Sequence, residues 1–453
     1  MSLTLRFLGA AETVTGSRYL LCDGERQVLV DCGLFQGYKS LRLRNREDPG
    51  FDPAHIAAVI LTHAHLDHSG WLPRLHALGF DGPIYCTPST LALCRILLPD
   101  AGRLQEEDAR YANAHGFSKH RPALPLFTEA DALRVLARFR TVDFGDTFGP
   151  TPALTARLSQ AGHLLGAASV HLAGAGTSVL FSGDLGRQND PIMPPPAAPP
   201  AADHVVIEST YGNRVHTDVP PDDEIAGIVA ATAARAGSVI IPSFAVGRAQ
   251  ALLLILARLM RQQRIPRLPA FLDSPMAIDA TAIYLAHRGE HRLDDDDCRA
   301  IQGVATMIHT ADESRQLNRR DGPMIVVAAS GMATGGRVLH HLRARGGDPR
   351  NAIVLCGYQA GGTRGAQLAN GERTLRIHGQ DVEIRAQVHQ IASLSAHADA
   401  PALAAWLQRL PAPPRRVFVT HGEPDAADAL RRRIGHWPGW SATVPRHGDE
   451  AVL

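Results

Sequence analysis

The chain has 453 residues, of which 45% are apolar and 20% charged, with a formal net charge of +1. These are globular values; they exclude a disordered polyelectrolyte, and no global field of either sign advertises a polyanionic partner. No apolar run approaches the roughly 18 to 20 residues of a membrane span, and the length points to two domains or to one with a large insertion.

The first third reads as short strands and turns. "MSLTLRFLGAAETVTG" has no basic start before a long apolar core, so no signal peptide is expected and a cytoplasmic location follows by default. "LTLRFLGA" and "RYLLCDGERQVLVDCG" are expected strands, the second folding back at Asp23-Gly24. "AAVILTHAH" is a buried strand running into a polar loop, and "PIYCTP", "ALTARLSQAGH", "ASVHLAG", "TSVLFSGD" and "DHVVIEST" continue the pattern to about residue 210. Helices are expected near 69–78, 88–98 and 129–139, with the Pro-rich stretch 191–200 as a surface loop. From about residue 220 the rhythm becomes strand, glycine-containing loop, helix, in "SVIIPSFAVGRAQALLLILARLM", "PAFLDSPMAIDATAIYLAH" and "MIVVAASGMATGGRVLHHL". That alternation implies a parallel sheet beneath covering helices. The acidic run 294–297 reads as a solvated loop, and strands with short turns return over 374–390. The chain closes with "SAHADAPALAAWLQRL" and "RRVFVTHGEPDAADALRRRIG", each strand or loop into helix. Six scattered cysteines form no CxxC pair, which argues against a thiolate metal site and against a disulfide framework.

One stretch stands out. "THAHLDHSG" packs His63, His65, Asp67 and His68 into six positions directly after the apolar run "AAVIL". A strand delivers His63, a tight loop brings His65 to the same side, and Asp67 and His68 begin the next helix. Positions 63 and 65 can hold one metal while 67 and 68 face a second. A polar loop is the bland alternative. Other strand ends weigh against it: His163 in "SQAGHLLGA", Asp184 after the strand "SVLF", and His421 in "VFVTHGE". A single Asp after a strand is usually a turn residue, but four such polar strand ends together are not. Imidazole and carboxylate without thiolate suit Zn²⁺, with Mn²⁺ or Fe²⁺ as alternatives.

"THAHLDHSG", "GHLLGA", "SGDLG" and "THGE" resemble the metal motifs of the metallo-β-lactamase fold hydrolases. "IESTYGNR", "LSAHAD" and "VTHGEP" resemble motifs A, B and C of the β-CASP branch, the ribonucleases related to the 73-kDa cleavage and polyadenylation specificity factor, with Glu208, His397 and His421 in the motif positions. One departure is Leu394, where the family usually has Phe before Ser-Ala-His. The resemblance implies an α/β fold: an αββα metallo-β-lactamase sandwich (residues 1–211 and 373–453) with an inserted α/β β-CASP domain (212–372) that closes over the metals. It implies two zinc ions, with Mn²⁺ as the alternative: His63, His65 and His163 on the first, Asp67, His68 and His421 on the second, and Asp184 bridging them. Asp31 in "LVDCG" would orient ligands from outside the coordination sphere. Coordination brings the pKa of water from 15.7 towards roughly 7 and so supplies hydroxide for attack on RNA. His397, oriented by Glu208, would be the general acid to the leaving group. Asp67, Asp184, Glu208 and His397 are thus the expected catalytic residues.

Within the inserted region, "IPSFAVGRAQ", "LDSPMA" and "AASGMATGG" place Ser and Gly or Pro between strand and helix, where backbone amides attract phosphate. Ser243, Ser274, Ser330 and Gly331 are candidate substrate contacts, with Arg248 and Arg364 adding charge and Tyr358 stacking on bases; Phe244 is the other aromatic there, for which a core or structural role is expected over stacking. Helix capping explains the same serines without a ligand. The expected partner is single-stranded RNA. With no RNA-binding segment ahead of the metal domain, the cleft alone is expected to hold it, or the cleft with a homodimer or an RNA-processing partner protein. Rival readings are a small-molecule ester, thioester or lactone hydrolase on the same fold, a DNA nuclease of the branch, and a non-catalytic assembly subunit. The insertion weighs against the first, His421 (where DNA nucleases carry Val) against the second, and the intact ligands against the third.

Overall fold

Strands with a single apolar face build the first part of the molecule. Leu154–Gln160 alternates buried and exposed side chains and Thr4–Phe7 does likewise, so each has one face to cover. The computed structural model describes residues 3–24, 26–116, 118–217 and 219–453. It divides into two units, Met1–Val215 with His397–Leu453, and His216–Ala396.

The first unit holds two seven-stranded sheets. One runs in the order Glu450–Val452, Thr4–Phe7, Tyr19–Cys22, Gln27–Val30, Ile56–Ile60, Ile84–Cys86, Phe139–Thr141. The other runs Ala442–Thr443, Arg416–Val419, His204–Ile207, Thr177–Phe181, Ala168–Gly174, Leu154–Gln160, Thr147–Thr151. Leu5, Phe7, Leu21, Val30 and Ile60 of the first meet Leu158, Val170, Val179, Phe181 and Phe418 of the second in one continuous core. Helix Pro88–His115 packs on the first sheet and Pro424–Gly435 on the second, which completes an αββα sandwich. In each sheet a group of strands runs parallel: Gln27–Val30 beside Ile56–Ile60, and Thr177–Phe181 beside His204–Ile207 beside Arg416–Val419. Parallel neighbours end side by side, so their following loops converge.

The second unit is built around six parallel strands, in the order Thr306–Met307, Ala270–Asp273, Ile325–Ala328, Val239–Pro242, Ala352–Cys356, Gln387–Ile391. The middle four of these strands are buried along their whole length, as a sheet covered by helices on both faces requires.

Three expectations are corrected. Residues 373–396 go with the second unit, not the first, because Gln387–Ile391 hydrogen-bonds in parallel to Ala352–Cys356 and extends its sheet. The helix expected to end near 98 continues through Pro99 to His115. A proline there removes one helix hydrogen bond, but Gly102 lets the next helix approach so closely that a Cβ would lie 2.6 Å from Glu129 N, and packing outweighs propensity. The acidic run is not a loop: Asp294 caps helix Asp295–Gly303 by accepting from Asp297 N–H (2.7 Å), where the helix dipole favours negative charge. The turn at Asp23-Gly24 is present, closed by Asp23 N–H to the Arg26 carbonyl (3.0 Å) with Gly24 at φ +89°; residue 25 lies outside the described residues.

A charged network sits inside the second unit. Asp273, wholly buried, accepts from Ser314 Oγ and His341 Nε2 (both 2.6 Å) and from Arg337 Nη1 (2.7 Å). Burial disfavours the carboxylate, but His341, Ser314 and Arg337 outweigh it and hold its pKa below the usual range. Asp273→Ala strands a cation and a buried imidazole, so a loss of about 3–5 kcal/mol is expected in denaturant titration of the whole chain. Because the folded pKa is depressed, the Asp273 contribution is complete at neutral pH and is lost as pH falls below about 4.

Candidate metal centre

The strand Ile56–Ile60 is buried at its end and hands the chain to Leu61, Thr62 and His63, all within the interior. The loop then turns sharply. Ser69 Oγ donates to the carbonyls of Ala64 (2.8 Å) and His65 (3.1 Å), and His65 begins a one-turn helix, Leu66–Ser69, that carries Asp67 and His68. The turn is clamped from behind by Ser17 N–H to the Asp67 carbonyl (2.8 Å) and Cys32 N–H to the His68 carbonyl (2.7 Å). A Cβ on Gly33 would lie 1.6 Å from the Asp67 carbonyl oxygen, so only glycine permits that approach.

Three loops of the second sheet meet this turn. His163 lies in the connection between Leu154–Gln160 and Ala168–Gly174, closed by Ala161 N–H to the Ala167 carbonyl (2.8 Å). Asp184 follows Thr177–Phe181, and His421 follows Arg416–Val419. Gly186 lets the Asp184 loop run between the His163 loop and His397: it bridges to His397 on one side, and on the other a Cβ would lie 1.9 Å from the Gly162 carbonyl.

The side chains form two groups that share Asp184. His63, His65, His163 and Asp184 can offer four ligand atoms within 4.8 Å of one another; Asp67, His68 and His421 form a second set on the same criterion. Asp184 Oδ2 faces His63 Nε2 (3.5 Å) and His163 Nε2 (3.7 Å). Its Oδ1 faces His68 Nε2 (3.4 Å) and His421 Nδ1 (3.5 Å). In the second set His421 Nε2 lies 3.1 Å from His68 Nε2 and 3.6 Å from Asp67 Oδ2. Two nitrogens each about 2.0–2.1 Å from a tetrahedral ion stand roughly 3.3–3.4 Å apart. The observed spacings are of that order. Among the described residues, buried His63 Nε2 and Asp184 Oδ1 have no hydrogen-bond partner; buried polar atoms without one are costly, and a cation satisfies both.

The electrostatics agree. Burial foremost pushes His63 and His163 well below the ordinary imidazole pKa and His65 to about 4, so these rings are neutral ligands at neutral pH. Burial opposes ionisation of Asp184 and Asp67, yet His421 and its neighbours outweigh it and keep both carboxyls below their usual range. His68 also loses by burial but is raised by Asp184 and Asp31. Carboxylates ionised and most imidazoles neutral are what a divalent cation requires.

Further groups aim the ligands. Asp31 accepts from His68 Nδ1 (2.7 Å), Thr62 N–H (2.8 Å), Thr62 Oγ1 and Ser17 Oγ (both 3.1 Å), which turns His68 Nε2 inward. Asp31 and His421 are held at φ +60° and +46°, left-handed conformations that are rare for non-glycine residues and tend to occur at functional sites. Buried Glu208 accepts Leu185 N–H (2.7 Å) and lies 3.2 Å through both oxygens from His397 Nδ1. The His397 ring lies tilted against His163, centroids 4.4 Å apart, with Nδ1 3.9 Å from Asp184 Oδ2.

Sequence reading missed Thr62, whose Oγ1 lies 3.1 Å from His63 Nδ1, and Thr210, 3.2 Å from His421 Nδ1. The signal for Thr62 is the Thr-His pair itself; Thr210 has only its place two residues after Glu208. It also missed Arg18, a buried guanidinium 4.0 Å from the Trp71 ring that donates to the Gly33 carbonyl (2.8 Å) and whose pKa burial lowers to about 10.

The candidate substrate residues all lie in the second unit, after its parallel strands. Ser274 caps helix Pro275–Ala286 by accepting Ala277 N–H (3.2 Å). Ser330 accepts Thr334 N–H (3.1 Å), and Arg364 Nε donates to the Arg376 carbonyl (2.6 Å). Gly331 is packed so closely on Phe244 that a Cβ would lie 2.7 Å from its ring, which makes Phe244 a packing residue. Ser243 is buried and donates to the Phe244 carbonyl (3.0 Å). Arg248 opens helix Arg248–Arg261 with Nη2 3.5 Å from the Cβ position of Gly357, and Tyr358 follows, half-buried. Leu394 is buried.

The chain matches three family models: "Metallo-beta-lactamase superfamily" over residues 13–226, "Beta-Casp domain" over 249–368, and "Zn-dependent metallo-hydrolase RNA specificity domain" over 381–445. It is 39% identical to Ribonuclease TTHA0252 of Thermus thermophilus over 449 residues, which cover 97% of this chain and 98% of the relative. It is 32% identical to Transcription termination factor FttA of Methanocaldococcus jannaschii, covering 95% of this chain and 69% of that one. A crystal structure of a protein of unknown function from Enterococcus faecalis V583 superposes with a TM-score of 0.55 at 13% identity, covering 100% of both chains, a likeness of fold.

Asp31→Asn keeps the shape and the left-handed backbone but removes the charge behind His68. Divalent-metal affinity is expected to fall about 10- to 100-fold in chelator competition. Unchanged affinity would remove Asp31 from that role.

Proposed function

This chain belongs to the metallo-β-lactamase superfamily, within the group that carries a β-CASP domain, and from that premise we propose that it is a zinc-dependent ribonuclease hydrolysing RNA phosphodiester bonds. It is a metal-dependent hydrolase by family. The relative named a ribonuclease and the match to an RNA specificity domain support RNA as its substrate class, and an RNA substrate supports a cytoplasmic location.

The observation that carries the reading is the division of one carboxylate between two imidazole groups, Asp184 Oδ2 towards His63 and His163 and Oδ1 towards His68 and His421. His63, His65 and His163 would hold one ion, and Asp67, His68 and His421 the other. Nitrogen and carboxylate donors without thiolate favour Zn²⁺, with Mn²⁺ as the alternative. Bound there, the two ions would supply Lewis acidity and an activated water near neutral pH.

The protein supplies the proton. Glu208 holds His397 at Nδ1, which leaves a proton on Nε2 for the departing ribose oxygen. Burial alone would pull the His397 pKa down, but Glu208, then Asp184 and Asp67, lift it above the ordinary imidazole value, which favours the acid form. Glu208 is itself fixed by Leu185 N–H, and the Ala398 N–H to Leu185 carbonyl bond (2.7 Å) fastens the His397 backbone to the same loop.

Two variants separate the roles. His397→Ala is expected to lower turnover by roughly 10²- to 10⁴-fold with both metals retained in elemental analysis; loss of zinc in that variant would refute a leaving-group role. Asp184→Ala is expected to lose at least one ion, and full metal content would sink its shared position. The test of the activity is a time course on single-stranded RNA labelled in turn at each end, with zinc-loaded and chelator-stripped protein. Zinc-dependent internal fragments identify an endonuclease, and mononucleotides released from one end identify an exonuclease. No cleavage by fully loaded protein would favour a small-molecule ester or thioester.

A further inference from the structure

A cavity of about 290 Å³ opens in the first unit, lined by Glu12 and its neighbours, Tyr38, Arg44, Glu423 and His447. Its size is at the ~300 Å³ lower end of small-molecule sites. It is bonded to the metal centre through the backbone: His421 N–H donates to the Ala10 carbonyl (2.7 Å), and Glu423 follows His421 by two residues.

Both walls are built rigidly. Ala10 and Glu12 sit at φ +48° and +56°, left-handed conformations that cost roughly 1–2 kcal/mol per residue. They are retained by Ala10 N–H to the Thr15 carbonyl and Gln36 N–H to Thr15 Oγ1 (both 3.2 Å). On the other wall Asn45 pins the Phe35 backbone by accepting its N–H (2.9 Å) and donating to its carbonyl (2.8 Å), and Trp71 Nε1 donates to the Asn45 carbonyl (2.9 Å). The Phe35 ring supports Arg44, whose Cζ is 5.6 Å from its centroid, and His447, 6.3 Å away ring to ring.

Tyr38 leaves 54% of its surface exposed. Arg44 and Glu12 share the cavity, yet among the described residues neither makes an ion pair or a side-chain hydrogen bond, with each other or with anything else. A cation and an anion held apart beside an exposed aromatic ring fit a ligand that brings a negative group, a row of N–H donors and a flat face. A nucleotide has all three.

We propose that this cavity binds the nucleotide next to the bond that is cut, with its base stacked on Tyr38, its phosphate on Arg44 and its base edge donating to Glu12. The proposal rests on the ribonuclease reading of the metal centre. Guanine suits it best, because N1–H and N2–H₂ offer a carboxylate two parallel donors, whereas uracil offers one N–H between two acceptors.

The test uses zinc-loaded full-length protein and oligoribonucleotides that differ only in G or U at each position flanking the cut. Wild type is expected to favour G at one position by about tenfold in kcat/KM, through KM, which corresponds to about 1.4 kcal/mol. Glu12→Gln should collapse that ratio towards one. Arg44→Ala should reduce the slope of log affinity against log salt by about 0.7, the loss of one phosphate contact on a single strand. Tyr38→Leu should raise KM for both bases and Tyr38→Phe restore it, which a structural role for the hydroxyl would not allow. Because the ratio is measured within one protein, a partly destabilised variant still reports it; where a variant does not fold, calorimetric binding of GMP against UMP to wild type decides. Cleavage by wild type without G-over-U preference, a ratio that survives Glu12→Gln, or equal binding of GMP and UMP overturns the proposal while leaving the ribonuclease reading intact. Loaded protein that cuts no RNA fails the ribonuclease reading, and this proposal with it.

Discussion

Asp184 is an ionised carboxylate, 2% exposed, surrounded by five imidazoles and a second carboxylate at a distance. A charge so placed is costly unless a cation faces it, and imidazoles that could hold one stand at both oxygens. The geometry of the centre follows from that. His63 and His163 must come to one side and His68 and His421 to the other, and the chain brings them from three loops of two sheets. Parallel strands that end together make this convergence possible, since loops leaving adjacent parallel strands emerge at one edge.

The loops then have to be held at close quarters, and the sequence spends small and strained residues there. Gly33 and Gly186 stand where any side chain would strike a neighbouring carbonyl, and Asp31 and His421 tolerate left-handed backbone. Several of these rings have a hydrogen-bonding group beside them that fixes their orientation: Asp31 at His68, Thr62 at His63, Thr210 at His421 and Glu208 at His397. Arg18 braces the carbonyl of Gly33, one layer further out. Rings fastened at one nitrogen in this way are suited to binding metal without reorganisation.

The two units use charge differently. In the second, Asp273 is fully satisfied by Ser314, His341 and Arg337 and works as structure. In the first, Arg44 and Glu12 are left apart at the rim of a cavity whose wall is continuous with the His421 loop. Satisfied charges fix a fold, whereas charges left apart at a cavity are free to meet a ligand.

Much of this was legible in the sequence. His63, His65, Asp67 and His68 mark a candidate metal loop by their density, and His163, Asp184 and His421 join it by their place at strand ends beside glycine, because local spacing and strand-end chemistry are written in adjacent residues; the structure brings their side chains within reach of one another. The parallel sheet of the second unit was legible for the same reason, in its repeated strand–loop–helix rhythm. Other features were not. The assignment of residues 373–396 to the second unit depends on Gln387–Ile391 pairing with Ala352–Cys356, and the helix through Pro99 survives because Glu129–Leu136 packs against it. The partition of Asp184 between two imidazole groups, and the separation of Arg44 from Glu12, are likewise relations between residues distant along the chain. The sequence by itself determined which groups were available and that they sit at strand ends. Only the tertiary structure decided which atoms face one another, because that depends on the register, packing and loop closure of segments up to several hundred residues apart.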